Sequence, residues 1–338
     1  MTIALNQCLQ GDALEVLTGL AAAGIKVNCV VTSPPYWGLR DYGAAGQIGL
    51  EPTFPEYVEK LTRVFDLVRD LLVEDGTLWL NLGDTSSVSR SYQVPDNKHK
   101  AVGNSKGMHK NTTGLPDKNL IGIPWRVAFA LQNAGWILRS AIVWHKPNPM
   151  TESVKDRPTR AYEHIFLFSI SGRYFYDFEA AREPATYRNQ YESTSTFCRK
   201  VNEPNRPGYD RPQHRPDRVR KYHSLRPGID VKGGNQGEGF IEFSPNDRNW
   251  RDVWTIPPQP CADEHFATFP EALVRRCIIA GSRPDDLVLD PFMGSGTTAV
   301  VAEKMGRRWL GIELNPEYLE IQARRLAKVT PLLKVAGL

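Results

Sequence analysis

Long apolar segments and paired cysteines are both missing from this sequence of 338 residues. No apolar run approaches the roughly 20 residues that a helix needs to span a bilayer, so we expect no membrane association. The five cysteines are scattered and odd in number, which argues against a disulfide framework or a zinc site and favours a reducing, cytoplasmic compartment. The N-terminal segment lacks a basic leader followed by an apolar core, so we also expect no secretion signal.

A strong excess of one charge is also missing from the chain as a whole. The 42 Lys and Arg residues stand against 38 Asp and Glu residues, and this net charge of +4 does not by itself indicate a nucleic-acid partner. The basic residues are nevertheless concentrated, because residues 188–232 hold eleven Lys or Arg and only five acids. With 41% hydrophobic and 24% charged residues, the composition is that of a soluble globular protein.

Apolar strands and amphipathic helices alternate at both ends of the chain. We predict strands over 28–32, 76–82, 136–144, 162–169, 252–256, 286–290 and 308–312, and helices over 55–72, 124–134, 270–280, 297–305 and 316–329. This alternation predicts an α/β fold with a doubly wound, mostly parallel sheet. Residues 185–248 are rich in Pro, Arg and Gly without a clear period. We therefore predict one domain made of residues 1–184 and 249–338, with residues 185–248 inserted into it.

The segment DPFMGSGTT at 290–298 has the composition of a ligand-binding turn between a strand and a helix. Gly294 and Gly296 allow the backbone to approach a ligand closely, and the amides that open the following helix attract a negative group. Glu313 follows 23 residues after Asp290, where an acid can hold a ribose diol as in dinucleotide folds. No Gly-Lys-Ser/Thr follows the glycines, which excludes a P-loop. The pattern predicts a site for an adenosine-type ligand.

The segment TSPPYW at 32–37 follows another predicted strand. The exocyclic amino group of cytosine or adenine is a poor nucleophile, because its lone pair is delocalised into the ring. Acceptors for its hydrogens, such as the side-chain oxygen of Ser33 and the carbonyl of Pro34, would favour a reactive nitrogen. Tyr36 supplies a ring that can stack on a base flipped out of the duplex. In-line methyl transfer to such a nitrogen depends mostly on positioning.

In this order, the two segments resemble the permuted group of DNA amino-methyltransferases, in which the catalytic motif precedes the cofactor motif. The resemblance covers residues 4–84, 120–182 and 250–330 and implies a Rossmann-like enzyme that uses S-adenosylmethionine, needs no metal and acts on double-stranded DNA. Ser at position 33 is typical of cytosine-N4 enzymes, whereas Asp is typical of adenine-N6 enzymes. We therefore expect methylation of cytosine N4, with adenine N6 as the alternative.

The resemblance also implies roles for individual residues. The implied catalytic residues are Ser33, Pro34, Pro35 and Tyr36. The implied residues at the methionine and sulfonium end of the cofactor are Asp290, Pro291, Phe292, Gly294, Ser295, Gly296 and Thr297. Glu313 would hold the ribose, Phe269 in HFATFP would form an apolar wall, and Asp12 would lie near the adenine. Asp12 also fits a simple role as a helix cap.

Residues 185–248 stand where this family has its target recognition region. Basic side chains interleaved with aromatic ones can neutralise phosphates and stack on bases. The candidate DNA-binding residues are Arg199, Lys200, Arg211, Arg215, Arg218, Arg220 and Lys221. A charged linker is the alternative interpretation. A polar stretch over 86–118, with lysines from Lys98 to Lys110, is predicted to be a loop and is a second candidate for facing DNA.

Several alternatives stay open at this point. Methylation at cytosine C5 needs a Pro-Cys nucleophile at a strand end, but Pro260-Cys261 lies in QPCADEH without such a strand. A DNA-binding protein that has lost its chemistry is disfavoured by the intact segment 33–36, and RNA is a less expected substrate than DNA. Candidate partners besides DNA are a cognate restriction endonuclease and a second copy of the chain in a homodimer, and we expect a bacterial or phage-encoded protein.

Some residues beside the two motifs have two interpretations each. Asp84 fits either the edge of the cleft or a capping turn, and Trp37 fits either the base pocket or the core. His145 and Lys146 follow a predicted strand and could touch phosphate, but we expect both on the solvated surface.

Overall fold

The chain forms two compact units in a computed structural model that describes residues 4–39, 41–87, 113–184, 247–261, 264–267 and 269–335. The larger unit comprises Met1–Ala181 and Arg251–Leu338, and the smaller one comprises Arg182–Trp250. The predicted DNA-binding residues between Arg199 and Lys221, and the lysines from Lys98 to Lys110, lie outside the described residues.

Helices and strands alternate along the larger unit. Its strands are β1 (Gln7–Gln10), β2 (Val27–Thr32), β3 (Leu72–Leu82), β4 (Ile137–His145), β5 (Tyr162–Ser169), β8 (Val253–Thr255), β9 (Pro260–Cys261), β10 (Glu264–Ala267), β11 (Leu287–Asp290) and β12 (Arg308–Glu313). Its helices are α1 (Ala13–Ala22), α2 (Phe54–Leu71), α3 (Ile123–Asn133), α4 (Glu271–Gly281), α5 (Thr297–Lys304) and α6 (Pro316–Val335). In the smaller unit, β6 (Arg182–Pro184) pairs antiparallel with β7 (Asp247–Asn249).

Eight of these strands form one sheet in the order β1-β12-β11-β2-β3-β5-β4-β8. In the first part of this order, β1, β12, β11, β2 and β3 all run parallel to one another. At the other edge of the sheet, β4 and β8 are also parallel. Strand β5 runs antiparallel to both of its neighbours, β3 and β4. The start of β5 therefore lies at the same edge of the sheet as the ends of β3 and β4.

Side chains alternate across the sheet and separate two helical layers. Val30 and Leu78 belong to the core that also contains buried residues of α1, α2 and α3. The adjacent residues Cys29 and Thr77 point to the other face, where both lie against Gly281 at the end of α4. A Cβ on Gly281 would lie 2.7 Å from Oγ1 of Thr77, so the close packing of α4 on the sheet needs glycine here.

Local sequence explains why the longest regular helix of the first layer begins and packs as it does. Thr53 precedes α2 in an extended conformation, and its hydroxyl accepts a hydrogen bond from the amide of Glu56. Pro55 lies in the first turn of α2, where backbone amides have no acceptor within the helix, so its lack of an N–H removes no hydrogen bond. Residues spaced three and four apart form the buried face, namely Tyr57, Leu61, Val64, Phe65, Val68 and Leu71.

The predicted α/β fold with a mostly parallel sheet is confirmed. Every helix and strand predicted from periodicity is present, with ends that move by a few residues. Strands β1, β6, β7, β9 and β10, of two to four residues each, and helix α1 were not predicted. Among the described residues, no helix is both long and apolar enough to cross a lipid bilayer.

Candidate active site

The two sequence motifs meet at the centre of the sheet, where the parallel strands β2 and β11 are neighbours. Val288 pairs with Cys29 and Leu289 with Val30, so both strands end at the same edge. The hydroxyl of Thr32 donates a hydrogen bond of 2.6 Å to the Asp290 carboxylate. Crevices at the carboxyl ends of parallel strands are the usual ligand sites of open α/β sheets. The motifs therefore open on one crevice, although they lie far apart in the sequence.

A cavity of about 290 Å³ occupies this crevice. All predicted catalytic and cofactor-binding residues except one line it, namely Asp12, Ser33, Pro34, Pro35, Tyr36, Phe269, Asp290, Pro291, Phe292, Gly294, Ser295, Thr297 and Glu313. The exception is Gly296, which faces helix α6. It adopts a φ of +82°, and a Cβ there would lie 2.8 Å from Cγ of Gln322. Gly296 thus serves the packing of the turn rather than the wall of the cavity.

The carboxylate of Asp290 braces the junction between the two motifs. It is 3% exposed and accepts hydrogen bonds from the hydroxyls of Thr32 and Thr298 and from the amide of Phe292. Burial raises the pKa of Asp290 to about 6, because the three hydrogen bonds offset only part of the lost hydration. The acid therefore orders the turn as well as lining the cavity.

Helix α6 holds the glycine-rich turn from behind. The side-chain amide of Gln322 donates a hydrogen bond of 2.7 Å to the backbone carbonyl of Gly294. The guanidinium of Arg325 donates to the carbonyl and hydroxyl of Ser295 and to the hydroxyl of Thr297, at 2.8 to 3.0 Å. Because α5 begins at Thr297, its first backbone amides have no partner within the helix and can bind a negative group.

Two acids line the cavity where the neighbouring strands β1 and β12 end. Glu313 accepts hydrogen bonds from the amides of Gly294 and Asn315, both at 2.8 Å, and burial raises the pKa of its carboxyl. Asp12 caps α1, since its carboxylate accepts from the amides of Leu14 and Glu15. The cap interpretation of Asp12 thus holds together with its place on the cavity wall.

Two contacts fix the second half of the Ser-Pro-Pro-Tyr turn. The hydroxyl of Tyr57, on α2, donates to the carbonyl of Pro35 at 2.9 Å. The ring of Tyr36 packs on Gly83, where a Cβ would lie only 2.4 Å from Cε2 of the ring. Burial, and next the charge of Glu163, hold the pKa of the Tyr36 phenol well above its ordinary value, so the phenol stays protonated.

Two acceptor groups of this turn belong to residues that line the cavity, Ser33 and Pro34. The hydroxyl of Ser33 lies 3.3 Å from Oδ1 of Asn81, to which it can donate, and its lone pairs then stay available. The amide nitrogen of Asn81 donates to the carbonyl of His164 at 3.0 Å, which fixes Oδ1 toward Ser33. No donor of the described residues binds the carbonyl of Pro34. Ser33 and Pro34 together can accept the two hydrogens of an amino group.

Sequence reasoning left several polar residues of the cavity unassigned, among them Asn81, Lys146 and Glu163. Glu163 accepts from the Tyr36 phenol at 2.7 Å and from the Asn81 amide at 3.2 Å, and it forms an ion pair with Lys146. Glu163 and Lys146 meet because β5 runs antiparallel to β4. Glu163, near the start of β5, pairs with Trp144, near the end of β4, and Lys146 follows directly after that strand. No local signal in the sequence gives that strand direction.

The other candidates beside the motifs have structural roles. Asp84 caps α3, because its carboxylate accepts from the amides of Gly122 and Ile123 at 3.0 Å. Trp37 is buried in the core, with its indole donating to the carbonyl of Glu51. The ring of His145 lies 3.2 Å from the hydroxyl of Thr255. Lys146 was expected on the solvated surface, but its side chain is only 21% exposed and lines the cavity.

Metal ligation finds no support within the described part of the chain, where no cluster of three or more His, Cys, Asp or Glu side chains could hold an ion. The side chain of Cys261, considered for cytosine C5 chemistry, lies outside what the structure describes.

Comparison with known proteins gives a consistent result. Residues 27–324 match the sequence profile of a DNA methylase family. The chain is 44% identical to the type II methyltransferase M.XycI of Xanthomonas campestris pv. cyanopsidis, across 94% of this chain and 86% of that protein. It is 42% identical to the type II methyltransferase M.Cfr9I of Citrobacter freundii, across 97% of this chain and 90% of that protein.

A solved structure supports the fold. A putative DNA modification methylase from Thermus thermophilus, complexed with S-adenosyl-L-methionine, aligns with a TM-score of 0.53 at 24% identity. The alignment covers 95% of this chain and 93% of that one. At this level of identity, the likeness bears on the fold alone.

Proposed function

Because this chain belongs to the DNA methylase family, we propose that it is a site-specific DNA methyltransferase that acts on N4 of cytosine in duplex DNA. The methyl donor is S-adenosylmethionine, and the target base is flipped out of the duplex into the cavity. The observation that carries the proposal is the hydrogen bond between Thr32 and Asp290, which joins a turn suited to an amino group to a turn suited to a cofactor.

The residues around the glycine-rich turn fit S-adenosylmethionine. The free amides at the start of α5 suit the carboxylate of its methionine part, and the lone pairs of Glu313 suit a ribose hydroxyl. Phe292 and Phe269 provide apolar wall, and Asp12 adds an acceptor at the ribose and adenine end. When bound, the cofactor supplies a methyl group on a positively charged sulfur.

The protein's own contribution to the transfer is to orient the amino group. Hydrogen bonds from that group to the hydroxyl oxygen of Ser33 and the carbonyl of Pro34 would turn its lone pair away from conjugation with the ring. Asn81 keeps the Ser33 proton directed away from the base. No covalent intermediate with the protein is needed, so the catalytic effect comes from positioning and from acceptors fixed in advance.

Cytosine rather than adenine is proposed because serine stands in the first position of the turn, as is typical of cytosine-N4 enzymes. Adenine N6 is the alternative substrate, since Ser33 and Pro34 can accept hydrogens from either amino group.

We also propose that residues 185–248 form the target recognition region, inserted into one catalytic domain of residues 1–184 and 249–338. The eleven basic residues over 188–232 support contact with phosphates. Type II methyltransferases among the relatives support a role in restriction and modification, with a cognate endonuclease as a partner. The free thiols of Cys8, Cys29 and Cys277 support a cytoplasmic location.

The test is methyl transfer from labelled S-adenosylmethionine to unmethylated duplex DNA, followed by mass spectrometry of the nucleosides. We expect N4-methylcytosine. N6-methyladenine would overturn the choice of base, and the absence of both would overturn the assignment to DNA amino-methylation. The positions of the methylated bases, mapped by sequencing, would give the recognition site.

Ser33→Ala tests the role of the turn. We expect the variant to bind S-adenosylmethionine as before and to transfer methyl groups about 100-fold more slowly, by analogy with the loss of one fixed polar group in other active sites. Ser171→Ala is the matched control, because Ser171 does not line the cavity and its hydrogen bonds within the described residues are to its neighbours Ser169 and Arg173. Full activity of Ser33→Ala would refute the catalytic assignment.

A further inference from the structure

Lys146 places a positive charge in the wall of the cavity, next to the residues that surround the amino-binding turn. Its side chain is 21% exposed, its ammonium group forms an ion pair with Glu163, and Nζ lies 4.3 Å from the centre of the Trp144 ring. The backbone amide of Lys146 donates to the carbonyl of Ala161 at 2.7 Å. The residue is thus held at both ends, unlike a mobile surface lysine.

Contacts lead from Lys146 to the catalytic turn through Glu163. One carboxylate oxygen of Glu163 binds Lys146, and the other binds the phenol of Tyr36 at 2.7 Å. That phenol lies 3.4 Å from Oγ of Ser33. Ser33 and the ammonium group of Lys146 are therefore joined through Tyr36 and Glu163, and all four residues line the same cavity.

The carboxylate of Glu163 leaves much of the Lys146 donor capacity unused. An ammonium group carries three N–H donors. Within the part of the chain that the structure describes, Glu163 is the only acceptor that the Lys146 ammonium group binds. The remaining donors belong to a partly desolvated group, and such donors favour a ligand with matching acceptors.

Cytosine and adenine differ at the positions that such a donor would reach. Next to its amino group, cytosine presents two acceptors in a row, N3 and O2. Adenine presents one acceptor, N1, followed by a C–H group. Flipped bases are read along this edge. Facing adenine, the ammonium group would meet one acceptor and a C–H group, whereas facing cytosine it would meet two acceptors in the same partly desolvated site.

We infer that Lys146, oriented by Glu163, is the residue that selects cytosine by donating to the N3 and O2 edge of the flipped base. This inference rests on the proposed function, because it assumes that the cavity receives a base whose amino group meets Ser33. It assigns Lys146 to contact with the substrate and Glu163 to positioning.

The experiment compares duplexes that carry cytosine or adenine at a mapped target position. The readout is the ratio of kcat/KM for the two bases, measured for the wild-type chain and for Lys146→Met, whose unbranched side chain is one atom shorter and has no donor. We expect the preference for cytosine to fall by about 10- to 150-fold, the range for the loss of one hydrogen bond to a charged group. The matched control is Lys26→Met, because Lys26 is exposed and precedes β2, at the end of that strand opposite the cavity.

A second variant separates base reading from support of Glu163. Lys146→Gln keeps an N–H donor but loses the charge, so we expect it to retain part of the preference for cytosine. Equal loss of preference in both variants would assign the effect to the ion pair and overturn the inference. If Lys146→Met fails to fold or to bind S-adenosylmethionine, the kcat/KM ratio of Lys146→Gln decides. A partial loss of the preference for cytosine would then support the inference, and an unchanged ratio would overturn it.

The outcomes for the wild-type chain keep the two proposals distinguishable. Production of N4-methylcytosine together with an unchanged ratio in Lys146→Met would overturn the role of Lys146 and leave the proposed function intact. A uniform loss on both duplexes would indicate a phosphate contact and would also overturn it. Production of N6-methyladenine by the wild-type chain would overturn the cytosine assignment and the inference together.

Discussion

Replacing Asp290 by Asn tests how much the buried carboxylate between the two turns lowers the free energy of unfolding. Burial raises the pKa of Asp290 from 3.8 to about 6, so the charged form is disfavoured in the folded chain. The difference corresponds to about 3 kcal/mol. Because the folded pKa is the higher one, this stability is fully present below 3.8 and is lost as the pH rises through about 6.

Asparagine can keep the same hydrogen bonds without the charge. Its side-chain oxygen can accept from Thr32 and from the amide of Phe292, as the carboxylate does. Its amide can donate to the hydroxyl of Thr298, which can turn to the carbonyl of Val31, 3.4 Å away. We therefore expect Asp290→Asn to raise the free energy of unfolding at about pH 8 by up to about 3 kcal/mol.

The assay is urea unfolding of the cofactor-free protein at about pH 5 and about pH 8. Between these pH values the wild-type chain should lose about 1.5 kcal/mol through Asp290, and the variant should not. The control is Asn in place of the exposed Asp117, where we expect a change within about 0.5 kcal/mol at both pH values. An Asp290→Asn chain that is less stable than the wild type at about pH 8 would show that the hydrogen bonds to the charge outweigh its burial, and would refute the reasoning.

Two further substitutions test how the turns are supported. Gly83→Ala places a Cβ 2.4 Å from the ring of Tyr36, so we expect kcat to fall by about 10- to 100-fold with unchanged cofactor affinity. Steady-state kinetics would check this against Gly172→Ala, where an added Cβ meets nothing within 4 Å. Arg325→Met removes the guanidinium from the glycine-rich turn, and we expect calorimetry to show cofactor binding weakened by about 10-fold, beside its exposed neighbour variant Arg324→Met. Equal effects within either pair would contradict the corresponding assignment.

Both turns could be predicted from the sequence because their chemistry is local. Prolines and glycines at strand ends, together with Ser33 and Glu313, describe what each turn can bind without knowledge of its neighbours. Their meeting could also be expected, because parallel strands end at one edge of a sheet. The bond from Thr32 to Asp290 is the contact that follows from this rule.

The remaining part of the site depends on information that the sequence does not carry locally. Lys146 follows β4 and looks like a surface lysine until the antiparallel strand β5 brings Glu163 beside it. Asp84 has the position of a cleft acid, but the amides at the start of α3 take up its carboxylate. Strand direction and helix docking decided both cases, and each is a property of the assembled fold.

The place of β11 in the sheet also has a consequence for the synthesis of the enzyme. Thr32 and Asp290 are 258 positions apart, and β11 lies between β2 and β12. At ribosomal rates, the amino-binding turn is made roughly 10 to 50 s before its partner strand exists. A nascent chain therefore carries half of a site and cannot modify DNA until β11 has been translated. The same geometry makes the enzyme a candidate for splitting into two inactive fragments whose activity returns only when they associate.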